Sequence, residues 1–302
     1  MHIAPVVLIS HAAGPDGWIP AFRTLADCLE RHPHLAVTVR APGAALEHVS
    51  REEKALWGEL DRDRIQWLAG GFSDPVLTAL PPDAAALQLE REAVAMDAAG
   101  VAPAGLWVGD VWEPGLVSLA ADLGLSYAFV SASLLDPVPF RPGPVERAGE
   151  AVMVAAVART VPQGWPDDAL AAVECGPDEL EEMLSRLRGR IVTPDAYLAS
   201  HAPGSGVEPR VVSATLPPQR EAFYRELLVL TRDHAQRRPG RDGVLRLHSR
   251  EHLLGEDTEE ADRLLLDARR ALDRSRHRGD TWVELRSLDW DADGLDEVWI
   301  GT

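Results

Sequence analysis

Apolar positions along the first 130 residues follow two alternating rhythms. Short, nearly continuous apolar runs occur at 4–10, 35–40, 65–68, 106–108 and 127–130. Their length and continuity predict strands buried on both faces. Between them, 19–30, the stretch holding Leu46 and Val49, 52–60, 84–99 and the run with Leu116, Leu119, Ala120 and Leu123 place apolar residues at helical spacing. Strands that alternate with helices imply parallel pairing, so either a parallel α/β barrel or a doubly wound sheet is expected. Further on, 137–144 carries four prolines and reads as a loop, 151–157 as a strand, 177–188 as a helix and 191–193 as a strand. Pro and Gly crowd 202–218 and predict a domain boundary. Two amphipathic helices follow at 219–235 and 258–274, and 281–302 returns to strand-like alternation.

Composition narrows the function classes. With 46% hydrophobic residues among 302, the chain can bury one large core or two smaller ones. A net charge of −18 disfavours nucleic acid and anionic membranes as partners. No apolar run reaches membrane-spanning length and no secretory leader is legible, so a cytoplasmic protein is expected. Cys28 and Cys175 offer no disulfide framework or metal-ligand spacing, and His32 and His34 lack a third ligand nearby in sequence. No metal and no cofactor are expected. Asp289, Asp291 and Asp293 resemble the start of a calcium loop, but the twelfth position is Ile300, not Glu.

Candidate chemistry lies in four turns that follow predicted strands. They hold His11 with Trp18, Phe72 with Asp74, Asp110 with Trp112 and Glu113, and Trp165 with Asp167. Aromatic rings beside carboxylates suit sugars, whose apolar faces stack on rings while acids accept hydroxyl hydrogen bonds or do chemistry. The competing reading makes each Trp a core anchor and each acid a cap. Ser10, Ser131 and Ser133 lack a nucleophile-elbow context, and no phosphate-cradling glycine loop occurs.

Three stretches then form a recognisable set. Leu68-Ala69-Gly70-Gly71-Phe72-Ser73-Asp74-Pro75-Val76-Leu77, with Leu80-Pro81 and Asp83, is similar to "GGFYEPIL…IP…D". Gly105-Leu106-Trp107 with Val111-Trp112-Glu113-Pro114-Gly115-Leu116 and Leu123-Gly124-Leu125-Ser126-Tyr127 is similar to "GVWLTERVWQPEL…AGIEY". Pro139-Phe140-Arg141-Pro142 is similar to "IPFRP". In this order and spacing they resemble glycoside hydrolase family 57, in its 4-α-glucanotransferase and α-amylase branch. The resemblance implies a (β/α)7 barrel of parallel strands over 1–205, a helical bundle over 206–280, and a β-strand segment at 281–302 that starts a C-terminal β-domain. It also implies retaining chemistry on α-1,4-glucans by two carboxylates, without a metal.

The catalytic positions depart from that pattern. The nucleophile Glu of "ERVW" falls on Gly109, and the stretch is one residue shorter. The acid of "FHDDGEKFG" falls in 155–159, where Ala155, Ala156, Val157, Ala158 and Arg159 supply no carboxylate. An Asp pair expected after Val130 is replaced by Ser131 and Ser133, and Asp74 stands for a substrate-contacting Glu. The expectation is therefore a barrel that binds an α-glucan or related oligosaccharide through His11, Trp18, Phe72, Asp74, Trp112, Glu113 and Trp165, without the catalytic pair, acting as a pseudoenzyme or partner subunit. One alternative is an active glycosidase or 4-α-glucanotransferase using Asp110 with Asp74 or Glu113. Another is a structural subunit, without ligand, that packs on a protein partner or a second copy.

Overall fold

A computed structural model describes residues 1–10, 14–161, 164–212, 214, 217–235, 241–254, 259–277, 283–287 and 297–300. Two compact units are present, Met1–Gly70 with Arg91–Ser213, and Gly71–Glu90 with Ala214–Thr302.

The first unit is a closed barrel. Seven parallel strands, β1 (His2–Leu8), β2 (Val37–Arg40), β3 (Ile65–Ala69), β4 (Pro103–Gly109), β5 (Tyr127–Ser131), β7 (Glu150–Ala158) and β8 (Leu170–Cys175), pair in that order. β1 pairs with both β2 and β8, so the ring closes and the doubly wound alternative is excluded. The expectation of a (β/α)7 barrel is met. β6 (Gly143–Arg147) is an antiparallel addition on β7, and the two-residue β9 (Arg190–Ile191) pairs with the start of β1. Helices α1 (Gly14–Arg31), α2 (Gly43–Glu52), α3 (Lys54–Glu59), α4 (Pro82–Ala98), α5 (Gly115–Asp122), α6 (Leu180–Arg186) and α7 (Pro194–Leu198) fill the connections. The division between the units falls within α4.

Strand alternation decides what fills the barrel. Ala4, Val6, Leu68, Tyr127, Phe129, Ala155, Val157, Leu170 and Ala172 form one buried cluster. They lie at every second position along their strands, as a shared inward face requires. The registers Tyr127↔Met153, Phe129↔Ala155 and Val157↔Ala172 carry the layers around the ring. Gly105 sits beside Tyr127 because no other residue fits there: a Cβ would lie 2.6 and 2.7 Å from Cζ and Cδ2 of the Tyr127 ring.

Two strands went unread in the sequence. β8 is a six-residue run interrupted by Glu174 and squeezed between Asp168 and Gly176, and β6 carries Pro144. α1 also starts at Gly14, five residues before its expected beginning, and brings Trp18 into the helix.

In the second unit, α8 (Glu221–Ala235), α9 (Arg241–Arg246), α10 (Arg250–Leu254) and α11 (Glu259–His277) follow one another, with a hairpin of β10 (Val283–Ser287) and β11 (Glu297–Ile300). The calcium-like turn at 289–294 lies outside the described residues. Gln88 and His248 tie this unit together. The Gln88 amide donates to Leu245 O at 2.7 Å and faces His248 Nδ1 at 3.1 Å. His248 Nε2 lies 2.8 Å from Thr231 Oγ1, which donates to Leu227 O. Nδ1 therefore accepts, Nε2 carries the proton, and the imidazole is neutral. Burial pushes its pKa down to about 3. An unfolded imidazole takes up a proton near pH ~6.5, so the unfolded state binds more protons between that pH and the folded value. Stability of this unit is thus expected to fall as the pH drops through that window, and to gain nothing from this group above it. The His248 ring resonance, followed by NMR, should not titrate between pH ~7 and ~4; an ordinary midpoint near ~6.5 would refute the neutral assignment.

Among the described residues, no helix is long and apolar enough to cross a membrane.

Candidate functional site

Chemistry in a parallel barrel gathers at the carboxyl ends of its strands, where loops are free to vary. Here those ends are set by register. Trp107 on β4 pairs with inward-facing Phe129, its ring 6.4 Å from that ring, and it stays half-buried. The next pair in register is Gly109 with Val130, so β4 carries one extra residue at Val108–Gly109. Such a bulge reverses the alternation beyond it. Asp110 then falls in step with Ser131, which shares the inward face of Tyr127 and Phe129. Asp110 is exposed. Gly109 is buried with φ of 75°, a conformation that a side chain with Cβ rarely adopts.

The neighbouring tips are equally specific. Ser131 Oγ and Ser133 Oγ are 2.9 Å apart and satisfy each other, with Ser131 capping the short helical turn after β5. On β7 the inward face stays apolar through Val157 and ends in Arg159, whose Nε bonds Glu174 Oε1 of β8 at 3.2 Å. Glu174 is one-fifth exposed, whereas Arg159 is largely exposed. Both line a groove of about 780 Å³ that also includes Leu8, Cys175, Gly176 and Glu179, a size that suits a small ligand.

The expected site residues separate into groups. Trp18 is buried and its indole donates to Ser10 O at 2.9 Å, so it pins the loop after β1. Trp112 is buried and exchanges two backbone hydrogen bonds with Val212, both 3.0 Å. Phe72 is fully buried in the second unit, its N–H donating to Gln88 O at 3.2 Å. Asp74, in the same unit, has φ of 52°, and its carbonyl accepts from the Arg250 N–H at 3.2 Å. Glu113 is half-buried, with its carbonyl accepting from the first turn of α5 at Leu116. Trp165 lies far from the strand tips. Its ring meets Phe140 edge-on at 5.6 Å, and the Phe140 carbonyl accepts from Leu170, the first residue of β8. The turn expected after β7 thus belongs to the other end of the barrel, because the β7–β8 connection must descend the full strand length. His11 lies outside the described residues.

Trp107, Asp110, Ser131, Arg159 and Glu174 fall on the inward registers of adjacent strands, and of these Arg159 and Glu174 are in contact. In the sequence Trp107 falls in a predicted strand and in the Gly105-Leu106-Trp107 motif, not among the candidate site residues. Arg159 and Glu174 were missed as a pair because β8 was missed. Alternation alone would have found Glu174 once 170–175 was recognised as a strand.

Comparisons with known proteins agree with the barrel fold. No family model matches the chain. Over 145 residues it is 28% identical to an alpha-amylase of Pyrococcus horikoshii, covering 44% of the chain and 23% of that protein. Over 158 residues it is 27% identical to a 4-alpha-glucanotransferase of Thermococcus litoralis, covering 47% and 24% respectively. The crystal structure of the 4-alpha-glucanotransferase from Thermococcus litoralis matches with a TM-score of 0.72 at 15% identity, over 97% of this chain and 62% of that one. The crystal structure of a GH57 branching enzyme from Thermococcus kodakaraensis matches with a TM-score of 0.66 at 13% identity, over 90% and 89%. Over its barrel the chain is similar to alpha-amylases and 4-alpha-glucanotransferases of glycoside hydrolase family 57.

The matched stretch spans about a quarter of the length of these curated family 57 relatives. Within the barrel, Gly109 and the 155–159 strand end are now placed in space. The first has a backbone that resists any larger residue. The second presents Val157 to the core and Arg159 to the mouth.

Proposed function

We propose that this family 57 barrel binds an α-glucan segment or a related oligosaccharide at its carboxyl-end mouth and does not cleave it. The observation that carries the reading is the inward face of β7. It offers Met153, Ala155 and Val157 and then a guanidinium already paired to Glu174, so no carboxyl group is free there to protonate a leaving group. Retaining hydrolysis needs two carboxyl groups about 5–5.5 Å apart. With one missing, a half-buried Trp107 and polar groups around it still suit sugar binding. The chain's relatives that carry alpha-amylase and 4-alpha-glucanotransferase names support α-1,4-linked glucose as the ligand class.

Maltooligosaccharides, offered to the purified protein with products followed alongside calorimetry, should bind without turnover. Trp107→Ala should weaken binding about tenfold, which corresponds to the loss of one aromatic stacking contact. Asp110→Ala should change affinity without revealing any lost activity. The β4 bulge favours a second reading, in which Asp110 is brought into step with the inward face and serves as the nucleophile of a working enzyme. Turnover that Asp110→Ala abolishes would establish that reading and end the first. Neither binding nor turnover would leave a structural subunit.

A further inference from the structure

The HxH at His32 and His34 found no third ligand in the sequence, yet the fold gives His32 two. Cys28 lies four residues earlier, and the His32 N–H donates to Cys28 O at 3.0 Å, so the helical turn continues and stacks the two side chains on one face. Glu181, in the first turn of α6, closes the set from the other side. Cys28 Sγ, an imidazole nitrogen of His32 and a carboxylate oxygen of Glu181 all lie within 4.8 Å of one another. Cys28 is buried, and His32 and Glu181 face solvent, so an ion has an open path. The other cysteine, Cys175 at the end of β8, is also buried. Three groups of sulfur, nitrogen and oxygen character thus converge between α1 and α6.

We propose that Cys28, His32 and Glu181 form a zinc(II) site that clamps α1 to α6. The donor set argues for that ion. Thiolate, imidazole and carboxylate together match the borderline-soft character of zinc, with bonds of about 2.0–2.3 Å. Calcium and magnesium would refuse the sulfur. Without the ion, Glu181 is neutralised by Arg31, whose Nε donates to Oε1 at 2.6 Å, and His32 Nε2 lies 3.6 Å from the same oxygen. Binding therefore displaces the Arg31 guanidinium from Oε1, and removing that competitor strengthens the site.

Zinc titrated into the full-length protein should bind at one ion per chain and raise the unfolding midpoint. His32→Ala and Glu181→Gln are exposed substitutions that leave the core intact, and each should weaken binding by at least about tenfold. Arg31→Met should tighten it. Cobalt(II) supplies a direct readout, since thiolate ligation produces a charge-transfer absorption. That band should vanish in Cys28→Ser and persist in Cys175→Ser. The proposal is overturned if zinc fails to bind, if the His32 and Glu181 variants bind it unchanged, or if the cobalt band follows Cys175 rather than Cys28. Oligosaccharide binding at the mouth is read independently and does not enter any of these outcomes.

Discussion

Glu92→Gln should destabilise the barrel by about 3–5 kcal/mol, the largest effect expected of any conservative change in it. Arg40 and Glu92 are 2% and 1% exposed, and Arg40 Nη1 donates to Glu92 Oε1 at 2.9 Å. The other carboxylate oxygen accepts the N–H of Gly70 at 2.8 Å. Arg40 also donates to the Ala41 carbonyl. Glutamine preserves volume and an acceptor but removes the charge, so the buried guanidinium loses the Glu92 carboxylate as a counter-ion. The pair also positions the tip of β3. A Cβ at Gly70 would come within 2.8 and 2.9 Å of Arg40 Cζ and Nη2, so the ion pair and the glycine require each other. Urea denaturation checks the size of the effect. The double variant Arg40→Met with Glu92→Gln should recover much of the loss, because it removes the stranded charge and keeps an acceptor for Gly70. A loss below ~1 kcal/mol in the single variant would show that the charge finds another partner.

Gly105→Ala is expected to cost about 1–3 kcal/mol or more, although it adds one methyl group. The added carbon enters the ring of Tyr127, which belongs to the innermost layer of the barrel and cannot swing outward past Phe129, 5.4 Å away edge-on. Overpacking of this kind is a property of the pair. Tyr127→Leu shrinks the obstacle, so Gly105→Ala should cost much less in that background, and a double-mutant cycle measures the coupling. Equal costs in the two backgrounds would mean that the strand, not the ring, resists the methyl.

The two effects also show where sequence reading reached its limit. β1 to β5 and β7 were legible because strands buried on both faces need continuous apolar runs. β8 was not, because Glu174 interrupts it, and that residue is tolerated only through Arg159 on the neighbouring strand. The aromatic residues were legible as anchors or platforms without a way to choose. Register made the choice: Trp18 and Trp112 are buried anchors, Trp165 lies at the far end of the barrel, and Trp107 faces the mouth. That Gly109 stands where the similar motif holds a Glu could be read from the sequence, but the bulge that carries Asp110 into step with Ser131 could not. A bulge is a relation between two strands, and one strand's letters do not contain it.

By itself, then, the sequence determined most of the strands and helices in their order, the family resemblance and the absence of a carboxylate at Gly109 and over 155–159, because each depends on residue type at local spacing. The tertiary structure decided which of those residues meet. The Arg40–Glu92 pair spans 52 positions, the Arg159–Glu174 pair joins adjacent strands, and Cys28, His32 and Glu181 converge across more than 150. Such meetings arise only when the barrel closes, since burial and alternation then fix which side of each strand faces inward.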